Sequence, residues 1–292
     1  MKKIEKNHKL APYTSWKIGG VVDRFYIPRN LDDLQKFLQG LSENESVTWL
    51  GAATNVLIRD GGIRGTVIYV KGKLNHIENL ENGALRVEAG VGCSRLVRYA
   101  LNLGKDAAFL AGIPGTIGGA LAMNAGAFGD QIWNHVVSVE LIDRKGQITI
   151  RPAKDFIANY RHVSGIGEDE WIVAGFLKFA DKEPDYIKER IKQLLHKRAE
   201  KHPLQEPSCG SVFRNPLNDF AARLIEVSGL KGKRIGGAQV SAKHANFIIN
   251  ENNAKASDVE ALIQYIIEQV EKKTGVRLVP EVHIVGEYEK SG

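Results

Sequence analysis

Residues 107–129 read AAFLAGIPGTIGGALAMNAGAFG, twenty-three positions without a charged side chain. A run of that length raises the question of a membrane span, because about twenty apolar residues cross the hydrocarbon core as one helix. Its six glycines and one proline argue against that reading. Each glycine inside a helix costs about 1 kcal/mol relative to alanine, and a proline about 3. As one continuous helix the run would be poor in water or in lipid, so no membrane insertion is expected.

The rest of the chain bounds the class. At 292 residues, 43% apolar and 25% charged, it has enough material for two domains of ordinary globular character. The basic N-terminus, MKKIEKNHKLAPYTSW, has no apolar stretch behind it and does not resemble a secretory signal. A cytoplasmic location is expected. Two cysteines, Cys93 and Cys209, are too few for a disulfide framework. The net charge of +6 is compatible with nucleic acid, an anionic surface or a phosphate-bearing small molecule. The most basic stretch, KERIKQLLHKRAEKH, has Ile191, Leu194 and Leu195, with Ile187 just before it, at helical spacing and reads as the solvated face of an amphipathic helix. No nucleic-acid motif accompanies it, and nucleic acid is not expected as a partner.

Periodicity places the elements. Asn30 should cap a helix carrying Leu31, Leu34, Leu38 and Leu41, and CSRLVRYALNLG should form a helix opened by Ser94 and closed by Gly104. HVVSVELIDRKGQITIRP predicts two strands turned at Lys145-Gly146. A charged helix is expected over about 186–201. SDVEALIQYIIEQVEKKTG predicts another, with Ser257 and Glu260 as a capping box and Gly275 as terminator. The whole reads as α+β in two units divided near residue 182.

Glycine-rich turns let backbone N–H groups approach and face an anion. Two occur, GAATN at 51–55 and AGIPGTIGG at 111–119. Tight packing and phosphate binding are both open for each. Neither fits the dinucleotide or nucleoside-triphosphate loop patterns.

Six stretches, WLGAATNVLIRDGG, FLAGIPGTIGGALAMNAGAFG, NYRHVS, PSCGSVFRNP, LIEVSGLKGKRIGGAQVSAKHANFIIN and LVPEVHIVGE, resemble in order and spacing the UDP-N-acetylenolpyruvoylglucosamine reductases of peptidoglycan synthesis, in their compact type II form. The resemblance runs from about residue 13 to 287. It implies an FAD-binding domain of the vanillyl-alcohol-oxidase-like type in two lobes over 1–182, and a smaller α+β substrate-binding domain over 183–292. FAD would be held non-covalently, NADPH would be the co-substrate, and UDP-N-acetylglucosamine enolpyruvate would be the substrate, in a monomer. The uncharged run would then be a loop and helix start around the FAD pyrophosphate.

On that resemblance, Gly51, Ala52, Ala53, Thr54 and Asn55 form one side of the cofactor cradle. Gly112, Ile113, Pro114, Gly115, Thr116, Gly118, Gly119, Asn124, Ala125 and Gly126 form the other. Ala53 and Thr54 depart from the usual GxGSN.

Arg161 matches the active-site arginine, whose guanidinium fork suits a carboxylate. Ser211 matches the proton donor and Glu281 the third catalytic position. Tyr160, Arg198, Lys201 and Asn215 match substrate-contacting positions. Two residues beyond Glu281, where arginine or lysine is usual, stands His283. Cys209 invites a thiol-nucleophile reading, but no motif-linked histidine accompanies it and a packed thiol is expected. His162, His202 and His244 lack metal-ligand spacing, so no metal is expected. Two other readings predict different behaviour: a flavin oxidase of an alcohol or sugar on the same fold, and a colourless basic binding protein with salt-sensitive polyanion affinity.

Overall fold

The computed structural model describes residues 4–289. The chain divides into two compact units. Tyr26–Ala52 and Val67–Arg198 form the bulk of the first, and Glu5–Phe25, Ala53–Thr66 and the chain from Ala199 form the second. Six helices are assigned among the described residues: α1 Leu31–Gln39, α2 Cys93–Asn102, α3 Ile117–Ala122, α4 Pro184–Lys201, α5 Ala221–Val227 and α6 Ala256–Thr274. None is long and apolar enough to cross a membrane.

The first unit is built on a five-stranded antiparallel sheet in the order Ile148–Pro152, Val136–Asp143, Glu170–Leu177, Leu85–Glu88, Ile77–Asn79. The predicted turn at Lys145-Gly146 joins the first two, with Gly146 at φ +74°. Leu85, Val87, Val139, Leu141 and Leu177 are fully buried from this sheet. They share a core with Leu96 and Ala100 of α2 and with Phe109, Leu110, Ile117 and Leu121 of the uncharged run. Burying a side chain of this size contributes about 1.5–3 kcal/mol. The run is thus a short helix between loops, apolar side chains inward. Gly175 in the central strand lets α3 approach, since a Cβ there would lie 2.7 Å from Leu121 Cδ1. In α1, the Asn30 carboxamide accepts from Asp33 N–H as predicted, and Leu34, Phe37 and Leu38 are buried.

The second unit packs around α6. Its Val259, Leu262, Ile263, Ile266 and Val270 meet Val212, Phe213, Leu224, Ile225, Val240 and Ile248. A three-stranded antiparallel sheet (Arg234–Ile235, Ala238–Val240, Ile248–Asn250) covers the helix, and Val56–Ile58 pairs in parallel with His283–Val285. Trp16, Ile18 and Leu57 belong to the same core. Trp16 is completely buried, its indole N–H donates to Ile248 O at 2.7 Å, and Asn250 Nδ2 donates to Trp16 O at 2.9 Å. Each compact unit is therefore assembled from separated stretches of the chain. Residues far apart in sequence complete the apolar surface of α6, and α4 belongs to the first unit as far as Arg198, its last turn to the second.

Two helix starts also differ from expectation. In α2 the cap residue is Gly92, and Ser94 lies inside the helix. In α6 the anticipated Ser257–Glu260 box is replaced by the distant carboxylate of Asp60 and the local one of Asp258, three residues beyond the cap residue Lys255. Asp60 accepts from the N–H groups of Ala256 and Ser257 at 2.8 and 2.9 Å, Asp258 accepts from Lys255 N–H, and Glu260 pairs with Arg59. Two charged acceptors at a helix N-terminus satisfy more of its donors than one serine hydroxyl can.

Candidate active site

In the first unit, Gly51 and Ala52 open the first glycine turn, and Gly112–Thr116 lead into α3. Thr116 is the N-cap of α3 and only 2% exposed. Its hydroxyl oxygen has no hydrogen-bond partner among the described residues. A Cβ on Gly51 would lie 2.4 Å from that oxygen. Gly118 likewise admits Ala89, whose Cβ would be 2.7 Å from a side chain there. A buried unpartnered hydroxyl faced by a glycine that cannot be enlarged suits an anion approaching at close range. The residues present fit the pyrophosphate of a dinucleotide cofactor.

Beyond α3 the segment Asn124–Gly126 is held from inside. Asn124 is 2% exposed, with Nδ2 donating to Gln131 Oε1 and Asn159 O and Oδ1 accepting from Trp133 N–H. All of its side-chain bonds are internal, so it shapes this segment. The bond to Asn159 reaches the hairpin of Ile157–Asn159 and His162–Ser164. Tyr160 and Arg161 form its tip. Arg161 sits at φ +56°, a left-handed conformation that costs a non-glycine residue about 1–2 kcal/mol. It donates to Gly126 O at 3.4 Å, and its guanidinium carbon lies 5.3 Å from the Tyr160 ring centre.

Arg198, on α4, belongs to the same neighbourhood. Gly112 stands at φ +77°, and a Cβ on it would be 2.7 Å from Arg198 Cδ. Burial, and then the charge of Arg161, lower the Arg198 pKa from its ordinary value. Arg198 Nε has no hydrogen-bond partner among the described residues. Two guanidinium groups that oppose each other's charge create a local preference for an anion. Three sequence candidates, Tyr160, Arg161 and Arg198, are thus brought together with the Gly112 and Gly126 ends of the uncharged run.

In the second unit, Ala53 completes the first turn at φ +46° and is 5% exposed. It takes the left-handed backbone that glycine adopts easily, and its carbonyl accepts from Ser15 N–H. Thr54 follows, and Asn55 binds the C-terminal segment: Nδ2 donates to Glu281 O at 3.1 Å, and Asn55 O accepts from His283 N–H.

Ser211 follows Gly210, which stands at φ +84°. Val212 O accepts from Glu281 N–H at 2.7 Å, and Arg214 N–H donates to Val279 O at 2.9 Å. These bonds hold the Ser211 and Glu281 segments side by side within one unit. Cys209 is 5% exposed, and burial with the nearby Glu281 charge raises its thiol pKa well above normal, so it is a packed thiol and no nucleophile. The His283 pKa is lowered by burial and then by Arg214, which makes Arg214 the source of positive charge beside it.

Two substrate candidates are placed differently. Asn215 Oδ1 accepts from Ala221 N–H at the start of α5, and Lys201 is exposed at the end of α4. No group of three or more potential metal ligands occurs among the described residues.

Asn246 was not singled out in the sequence. It is 4% exposed and bonds both backbone polar groups of Phe213, two residues after Ser211. The available signal was an amide directly before the apolar run Phe247–Ile249 in the stretch ANFIIN.

Comparison with known proteins supplies the class. Residues 22–150 match the FAD binding domain family, and residues 202–285 match the C-terminal domain family of UDP-N-acetylenolpyruvoylglucosamine reductase. With its α+β fold, the protein is an oxidoreductase built on an FAD-binding domain. A UDP-N-acetylenolpyruvoylglucosamine reductase of Coxiella burnetii is 49% identical over 300 residues, covering 96% of this chain and 95% of the relative. One of Alkalilimnicola ehrlichii is 52% identical over 279 residues, covering 95% and 93%. The crystal structure of the reductase from Thermus caldophilus superimposes with a TM-score of 0.83 at 26% identity, covering 97% and 98%. The chain belongs to the UDP-N-acetylenolpyruvoylglucosamine reductase family.

Proposed function

We infer that the protein reduces UDP-N-acetylglucosamine enolpyruvate to UDP-N-acetylmuramate with NADPH, as a cytoplasmic monomer in peptidoglycan precursor synthesis. What supports this most is the pairing of 212–214 with 279–281, which holds the Ser211 and Glu281 segments together inside the family's C-terminal domain. Gly51–Asn55 and Gly112–Gly126 would hold FAD without a covalent bond, the buried Thr116 hydroxyl facing its pyrophosphate. When bound, FAD supplies hydride chemistry between NADPH and the enolpyruvyl double bond.

The chain's own residues handle charge and proton. Hydride addition at the terminal vinyl carbon leaves negative charge on the neighbouring carbon and its carboxylate. Arg161 would orient the carboxylate through paired donors and stabilise that charge. Ser211 would deliver a proton to the carbon, adequate because the acceptor is strongly basic. Glu281, protonated beside the carboxylate, would donate a further hydrogen bond. Tyr160, Arg198, Lys201 and Asn215 would bind the anionic substrate. The 1–182 portion would serve the cofactor and 183–292 the substrate, with the N-terminal strands and Trp16 as structural support for the latter.

The test is one spectroscopic titration of the purified holoenzyme. Anaerobic NADPH should bleach the flavin absorbance, and UDP-N-acetylglucosamine enolpyruvate should restore it. Bleaching without reoxidation by that substrate would favour an oxidase or dehydrogenase on the same fold, and a colourless protein unable to take up FAD would end both flavoenzyme readings.

A further inference from the structure

We propose that Asn246 is a positioning residue for Ser211, acting through the backbone of Phe213. This rests on the reading of Ser211 as proton donor.

The argument starts from the segment that carries the serine. Gly210 turns the chain in a left-handed conformation, and beyond Ser211 the side chains of Val212 and Phe213 are 0% and 1% exposed. One edge of this segment pairs with the C-terminal chain, through Glu281 N–H to Val212 O and Arg214 N–H to Val279 O. The other edge has no strand beside Phe213 among the described residues. Asn246 takes that place. Its Oδ1 accepts from Phe213 N–H at 2.9 Å, its Nδ2 donates to Phe213 O at 2.8 Å, and its own carbonyl accepts from Val212 N–H at 2.9 Å.

A carboxamide has the same donor and acceptor as a peptide group, so one side chain reproduces the double bond a neighbouring strand would make. The aspartate side chain has no donor when ionised, and leucine has neither group. Removing the amide would leave two buried backbone groups unpaired, and the segment would shift to find water or other partners. Ser211, anchored on one side only by a glycine, would move with it. A displacement of about 1 Å at a proton donor is enough to cost on the order of 10²-fold in rate.

Asn246 is itself fixed by the turn that presents it. Its N–H donates to His244 Nδ1, Phe247 N–H donates to His244 O, and Ser241 N–H donates to Phe247 O. The amide therefore belongs to a built support.

The experiment compares both half-reactions of the holoenzyme in four proteins: wild type, Asn246→Ala, Ser211→Ala and the double variant. Flavin reduction by NADPH should be unchanged throughout. Reoxidation by UDP-N-acetylglucosamine enolpyruvate should slow by about 10- to 100-fold in Asn246→Ala, yet by less than about 3-fold when the same change is made in the Ser211→Ala background. Effects that multiply would show that Asn246 does not act through Ser211 and would overturn the proposal alone. An Ser211→Ala protein with normal reoxidation would overturn the serine assignment and the proposal with it. Asn246→Gln, which keeps the amide but displaces it by one methylene, carries the same comparison if the alanine variant does not fold.

Discussion

Thr116→Val separates the stability of the cofactor-free protein from its affinity for FAD. The hydroxyl is buried, has no hydrogen-bond partner among the described residues and faces Gly51, so valine fits its space without its polarity. An unsatisfied buried hydroxyl costs a folded protein about 1–3 kcal/mol. Its removal should raise the melting temperature of the FAD-free protein, by about 2–4 °C for each kcal/mol in a protein of this size class. With FAD present the sign reverses. A hydrogen bond to a charged oxygen contributes about 1.5–3 kcal/mol, so the valine variant should bind FAD about 10- to 150-fold more weakly. Thermal melts of FAD-free protein and a titration by flavin fluorescence give both quantities. A variant that binds FAD as tightly as wild type would refute the assignment of this hydroxyl to the cofactor.

Other perturbations probe separate links. Ser211→Ala should leave flavin reduction by NADPH intact and slow reoxidation by substrate on the order of 10²-fold; slower reduction in stopped-flow traces would count against the proton-donor role. Arg161→Lys should lose activity in the substrate half-reaction, because a point charge replaces a fork, and equal losses in both half-reactions would contradict it. Burial opposes ionisation of Asp33, but hydrogen bonds from the Arg29 side chain, the Arg29 N–H and Tyr26 hold its pKa at about 2. Because that lies below the ordinary carboxylate value, its stabilising effect is present above about pH 4 and lost as pH falls toward 2. Asp33→Asn should flatten this acid limb in pH-dependent melts. Trp16→Phe removes the donor to Ile248 O and should destabilise by about 1–3 kcal/mol in denaturant titrations; no change would show that Trp16 serves the second unit through packing alone.

Local order was legible because it depends on neighbours in sequence. The Asn30 cap, the Lys145-Gly146 turn, the left-handed Gly275 at the end of α6 and the failure of residues 107–129 to form one long helix all follow from side-chain and backbone preferences within a few residues. The candidate cofactor and catalytic positions were legible through their motifs, which preserve order and spacing along the chain. What the sequence could not supply was the pairing of distant groups. Asp60 caps α6 from nearly two hundred residues away, Trp16 belongs to the core of α6, and Asn246 holds Phe213. Each of these bonds is fixed by which surfaces become buried together, and an unpaired polar group at such a place is costly. Composition, periodicity and motif order were written in the sequence; the division into units, the distant caps and the support behind Ser211 were decided by tertiary packing, because burial and hydrogen-bond satisfaction are properties of the folded neighbourhood.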